Sequence, residues 1–184
     1  MQDADVLRAV LAAYKTVMEA SWPALHPTMP DHSRQWPTMS QTGLDGELNE
    51  YLRQSAQSDQ HVRVFWKLAP QFKFGGVNEL FAKDAGFANP ADLVGLDDFD
   101  KRLPWRHQAA KYRLDDEEVF KNGNAKLDIL ERQQSSDGIT WVRAGKAPIR
   151  KASGDVIGIL GMYELLDSET GRKLYAERNL RRRS

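Results

Sequence analysis

Three apolar-rich runs toward the C-terminal end, at 127–131, 139–149 and 156–163, constrain this chain more than any other stretch. They are separated by Ser135-Ser136-Asp137-Gly138 and by Ala152-Ser153-Gly154-Asp155, where glycine beside polar residues supplies the positive φ angles that tight hairpins need. Runs this short, joined by turns this tight, predict an antiparallel meander. Two more apolar runs, 62–67 and 71–77, come earlier and meet at Ala69-Pro70, because proline cannot serve a central ladder and so marks the turn. Phe72 and Phe74 share one face of the second run. Between the two groups lies a helical middle, 78–122. Two strands, several short helices and three strands is an α+β order.

The middle is punctuated by caps. Asn78 can cap a helix over 79–85, which Gly86 ends. Asn89-Pro90-Ala91-Asp92 reads as another helix start and Gly95 as its stop. The longest helical pattern runs over 105–121, with Trp105, Ala109, Tyr112, Val119 and Phe120 among its apolar residues and Gly123 as terminator. Asp115-Asp116-Glu117-Glu118 lies inside it. Consecutive helical residues fan around the axis instead of converging on a metal, so this run reads as a solvated face. Gly145, Gly158 and Gly161 in the later strands allow close approach of a ligand or another element, or else mark a bulge.

Outside this region the N-terminal segment 6–20 carries Leu7, Val10, Leu11, Tyr14, Val17 and Met18 at helical spacing, with Asp3 or Asp5 as cap. The stripe must bury against its own sheet or against a second subunit. The expectation favours a contact that helps form a homodimer. Four prolines, Pro23, Pro27, Pro30 and Pro37, make 22–42 a linker anchored by Trp22 and Trp36. A second short helix over 44–54, with Leu44, Leu48, Tyr51 and Leu52 on one side, is expected to cap the sheet. After residue 167 the chain turns polar, with a helix expected from Arg172 onward and Arg181-Arg182-Arg183 near its end. The organisation expected is therefore a helical extension and linker over 1–58, a domain over 59–166 and a C-terminal helix over 167–184.

Composition removes several functions. Twenty-six Lys and Arg balance 26 Asp and Glu, so no global field draws nucleic acid or a membrane surface. No cysteine is present, which excludes disulfides, thiolate nucleophiles and cysteine metal sites and fits a cytoplasmic location. No stretch approaches the roughly 20 apolar residues of a membrane span. His26, His32 and His61 form no spaced pair, and no phosphate-binding or dinucleotide loop is present, so this chain is not expected to be an enzyme.

The strings Val64-Phe65-Trp66-Lys67, Gly76-Val77-Asn78-Glu79-Leu80-Phe81-Ala82, Leu93-Val94-Gly95-Leu96-Asp97-Asp98-Phe99-Asp100 and Leu103-Pro104-Trp105 occur in order. They are followed by Asp137-Gly138-Ile139-Thr140-Trp141, Lys146-Ala147-Pro148-Ile149 and Gly154-Asp155-Val156-Ile157-Gly158-Ile159-Leu160-Gly161. This ordered set resembles a PAS sensory domain, over a little more than half the chain. The resemblance implies an α+β fold with a five-stranded antiparallel sheet, flanking helices and an N-terminal helical extension, and it implies signal transduction, with a small molecule sensed by the domain and an output domain controlled through the C-terminal helix. The segment 176–183 is similar to linkers that precede diguanylate cyclase domains of the GGDEF type. The alternatives are a ligand-free dimerisation module and the sensor part of a histidine kinase or transcription factor. Where the family often has Asp-Ile-Thr after the last strand, Glu164-Leu165-Leu166-Asp167 stands here.

A ligand pocket is expected between the helical middle and the inner face of the sheet, where apolar walls with a few polar groups are usual. Its candidates are Trp66, Phe74, Asn78, Phe81, Trp105, Tyr112, Trp141 and Arg143, the last as a bidentate partner for an anionic or carbonyl-bearing ligand. The alternative is that these side chains simply fill a core. Some PAS domains hold haem through a helix histidine in this region. His107 is the one candidate, and it reads as an exposed first-turn residue, so haem is not expected and no cofactor is assigned.

Overall fold

The computed structural model describes residues 4–21 and 62–184. The expected linker with Trp22 and Trp36, the helix over 44–54, and His26, His32 and His61 lie outside the described residues. The described chain runs α1 (Ala4–Ser21), β1 (Val62–Leu68), β2 (Lys73–Val77), α2 (Glu79–Asp84), two short 3-10 turns (Pro90–Leu93 and Arg106–Gln108), α3 (Ala109–Asn122), β3 (Lys126–Ser135), β4 (Gly138–Arg150), β5 (Val156–Leu166) and α4 (Ser168–Arg183). The five strands form one antiparallel sheet, as expected, and their order in it is β2-β1-β5-β4-β3.

Local chemistry sets the boundaries. The Asn78 side chain accepts from the Phe81 backbone N–H at 3.1 Å, capping α2, and Gly86 follows that helix at φ 79°. Gly123, at φ 66°, ends α3, a backbone angle at which a Cβ would clash. β2 starts at Lys73, two residues later than expected, because Phe72 sits in the turn at φ 53°. β3 runs four residues past the expected 131, as Arg132, Gln133 and Gln134 pair with Trp141, Thr140 and Ile139 despite their polarity. α4 also starts earlier than expected. Asp167 caps it by accepting from the Thr170 N–H and hydroxyl, both at 2.8 Å, and Gly171 continues the helix instead of interrupting it. A Cβ at Gly171 would lie 2.2 Å from Trp141 Cγ, so only glycine lets this turn approach the sheet.

Both faces of the sheet are covered, which explains why Val62 through Lys67 are all buried. On the outer face Val62, Val64, Trp66, Ala147, Ile149, Leu160 and Met162 meet the α1 stripe of Leu7, Val10, Tyr14, Val17 and Met18. The expectation that this stripe seeks a second subunit is corrected. It is buried on its own sheet, where each large side chain contributes roughly 1.5–3 kcal/mol, and Gly145 lets it come close, since a Cβ there would lie 3.1 Å from Val17. On the inner face Phe65, Val142, Ala144, Ile159 and Tyr163 pack against α2, α3 and the segment between them.

Candidate functional site

Strand parity builds the site. With Val64 and Trp66 facing out, Phe65 and Lys67 of β1 face in, as do Ala144 and Lys146 of β4 and Tyr163 of β5. Together with Phe74, Phe81, Trp105 and Tyr112 they enclose a cavity of about 30 Å³, which Glu131 and Gln133 of β3 also line. Phe81 is its aromatic centre, 5.4 Å from Phe74, 5.3 Å from Trp105 and 6.1 Å from Tyr163, in edge-to-face contacts. Gly161 admits the Phe65 ring, since a Cβ there would lie 2.1 Å from Phe65 Cζ.

Charges are buried beside these rings. Lys67 Nζ donates to Asp98 and, at 2.5 Å, to Asp116, while Lys146 Nζ donates to the other Asp116 oxygen at 2.7 Å. Trp105 Nε1 donates to Asp98 at 2.9 Å, tying the segment before α3 into the network. Asp116 is fully buried, and Lys67, Asp98 and Lys146 nearly so. Burial alone would push the Lys67 ammonium down, but Asp116 and Asp98 together hold it above the ordinary lysine value. Burial likewise opposes the Asp116 charge, and Lys67 and Lys146 overcome it, keeping that carboxyl below the usual range. The Lys67 ammonium also lies 5.1 Å from the Phe65 ring centre and 5.4 Å from that of Phe74, and Lys146 lies 5.8 Å from that of Tyr112.

A second network closes the β1 side. Arg63 Nε donates to Asp84 at 2.8 Å, the Tyr163 hydroxyl donates to the same carboxylate at 2.9 Å, and Gln133 donates to that hydroxyl at 3.2 Å. Burial, then Asp84, pushes the Tyr163 phenol well up, so it stays a donor.

The expected site residues divide by face. Phe74, Phe81, Trp105 and Tyr112 line the cavity. Trp66 lies on the outer face beneath α1. Trp141 is outside as well, 5.5 Å from Tyr175 of α4. Asn78 is buried but holds backbone: it accepts from Val64 N–H at 3.1 Å and donates to Val62 C=O at 3.0 Å, besides capping α2. Arg143, the expected ligand partner, lies on the outer face, where Nε donates to Glu164 at 2.7 Å and a terminal nitrogen donates to the Ser21 carbonyl at 3.1 Å. The reading of Asp115 through Glu118 as a solvated face fails at Asp116, which points into the core, while Asp115 and Glu118 hold Lys126 at 2.8 and 2.9 Å. His107 is exposed on its 3-10 turn.

The residues missed are Lys67, Asp98, Asp116, Glu131, Gln133, Lys146 and Tyr163. The available signal was Lys67 and Lys146 themselves, charged residues inside mostly apolar runs.

No protein-family model matches the sequence, and no curated protein matches it. Among solved structures, a light-oxygen-voltage domain from a flavin-analogue study is similar at 15% identity, over 70% of this chain and 93% of that one, with a TM-score of 0.52. The domain has a PAS-like fold. VqmA bound to DPO is similar at 22% identity over 55% of this chain and 52% of its own, with a TM-score of 0.50. The VqmA–ligand–DNA complex of Vibrio cholera matches at 22% identity over 63% and 54%, with a TM-score of 0.52. The PAS-like chain thus spans about half the length of the VqmA chains it matches.

Proposed function

We propose that this PAS-like chain is a sensory domain that takes a small molecule into the cavity between the sheet and α2 and α3, and relays its occupancy to an output domain through α4. The observation that carries the reading is the network of Lys67, Asp98, Asp116 and Lys146 at the wall of an aromatic cavity. Buried ion pairs are often no more stabilising than apolar side chains of similar volume. Charged groups at a cavity wall are better accounted for as recognition groups. Ligand-bound VqmA and a light-oxygen-voltage domain with a flavin analogue, both similar in fold, support it. For the output we propose a diguanylate cyclase, on the resemblance of 176–183 to linkers before such domains. A DNA-binding output is the second choice, favoured by the VqmA complex with DNA. Catalysis is assigned to the output and not to this chain. A cytoplasmic location and self-association belong to the same proposal, the latter supported by the similar VqmA dimer and using a surface other than the α1 stripe.

The cavity volume of about 30 Å³ favours one competing reading, a ligand-free interaction module, because such a space holds about one water until its walls part. Native mass spectrometry of protein purified without added ligand separates the two. A small-molecule mass that is released on denaturation supports the sensor. An unadorned mass, with no melting shift across a metabolite panel, overturns it.

A further inference from the structure

Resting on the sensory reading, we infer that the ligand is a small, uncharged, flat molecule that offers a hydrogen-bond acceptor to Lys146 and a donor to Gln133 or Glu131. The charges decide the first property. Lys67 and Lys146 are matched within the buried network by Asp98 and Asp116, and Glu131 is matched by Lys111 at 2.7 Å. A charged ligand would add an ion with no counter-ion left for it, in a setting where an unpaired charge costs several kcal/mol. An anion would also face the Asp98 carboxylate, which lines the cavity beside Lys67.

The unused hydrogen-bonding capacity decides the second. An ammonium carries three donors, and Lys146 commits one of them, to Asp116. The Gln133 amide gives its N–H to Tyr163, while its carbonyl accepts from no described residue. Glu131 binds Lys111 through one oxygen and leaves the other. All three side chains line the cavity. A donor-rich wall at β4 therefore faces acceptors on the neighbouring β3. That pattern suits a neutral group carrying both functions, such as an amide or a lactam. The rings of Phe65, Phe81, Trp105 and Tyr112 supply faces and edges for a single flat ring, which enters only as the walls part, since the closed cavity of about 30 Å³ holds about one water.

Nicotinamide and nicotinate test this, because they share a ring and differ in charge at neutral pH. The readout is the Trp105 indole N–H in an amide correlation spectrum, since that group donates to Asp98 at the cavity wall. Nicotinamide is expected to move this signal in a saturable way, with nicotinate binding at least about tenfold more weakly. Lys146→Met is expected to weaken nicotinamide by about tenfold or more. Because that change also strips a partner from Asp116, Gln133→Met serves as a second variant that leaves the ion network whole, and it is expected to weaken binding several-fold. Nicotinate binding as tightly as nicotinamide overturns the inference about ligand class and leaves the sensory reading standing, and so does wild-type affinity for nicotinamide in both variants. No response to either probe, or to a wider set of neutral and anionic single-ring compounds, overturns the sensory reading itself.

Discussion

Replacing Asp116 by asparagine tests the buried network directly. The carboxylate is fully buried and receives Lys67 at 2.5 Å through one oxygen and Lys146 at 2.7 Å through the other. Asparagine keeps the shape and one acceptor but turns an amide N–H₂ toward an ammonium, leaving Lys67 with Asp98 alone and Lys146 with no anion. Breaking a buried pair by removing one partner costs about 3–5 kcal/mol, and the retained acceptor places this change near the lower end. A loss of about 3 kcal/mol is a large share of the roughly 5–15 kcal/mol that holds a domain together. At about 2–4 °C per kcal/mol for a chain of this size, the melting temperature should fall by roughly 6–12 °C. Urea denaturation at neutral pH, followed by circular dichroism, measures the free-energy loss, and a thermal scan of the same signal measures the shift.

The same carboxylate gives a pH signature. Its folded pKa is depressed, so its contribution is present above the ordinary carboxylate value near ~4 and is lost as pH falls through the folded value. Lys67 works with the opposite sign. Its folded pKa is raised, so its contribution is full below the ordinary lysine value near ~10.4 and is lost as pH rises through the folded value. Asp116→Asn should therefore flatten part of the acid arm of the stability curve. A loss under about 1 kcal/mol with an unchanged acid arm would refute the reasoning, because it would mean that water already solvates the two lysines.

Trp105→Ala should cost about 3–5 kcal/mol in the same assay, since the ring is 1% exposed, packs on Phe81 and donates to Asp98; a near-neutral midpoint would contradict that placement. Val10→Asp puts an unpaired charge under α1 at a fully buried site and should cost at least about 3 kcal/mol, whereas an unchanged midpoint would mean that α1 is undocked. Gly171→Val should lift the first turn of α4 from Trp141, so that trypsin cuts at Arg172 and Lys173 several-fold faster while the midpoint of the sheet moves by less than about 1 kcal/mol; unaltered cleavage would count against the contact.

The sheet was legible because its hairpins are written in turn residues at Asp137-Gly138 and Gly154-Asp155, and the helix ends because Asn78, Gly86 and Gly123 do the work of caps. Which face held the cavity was not legible. A strand covered on one side shows its buried face by alternation, but β1 is covered on both, so Val64 and Trp66 look as inward as Phe65 does. Trp66, Trp141 and Arg143 have the side-chain types of a pocket wall but the parity of the outer face. Asp116 was hidden for a related reason: in an acidic run, one residue facing the core is set by lysines far away in sequence, on β1 and β4. Lys67 and Lys146 look like surface residues until both carboxylates are placed beside them.

The position of β5 between β1 and β4 bears on how the chain is made. Val62 of β1 pairs with Glu164, and Leu68 with Gly158, so one full side of β1 is closed only by the last strand, about a hundred residues later. During synthesis β1 can zip to β2 at once, but its other flank stays an open row of amides and carbonyls until β5 has left the ribosome. The cavity, walled in part by Tyr163, is then finished last, so a chain stopped short of the final strand carries an adhesive edge and no binding site.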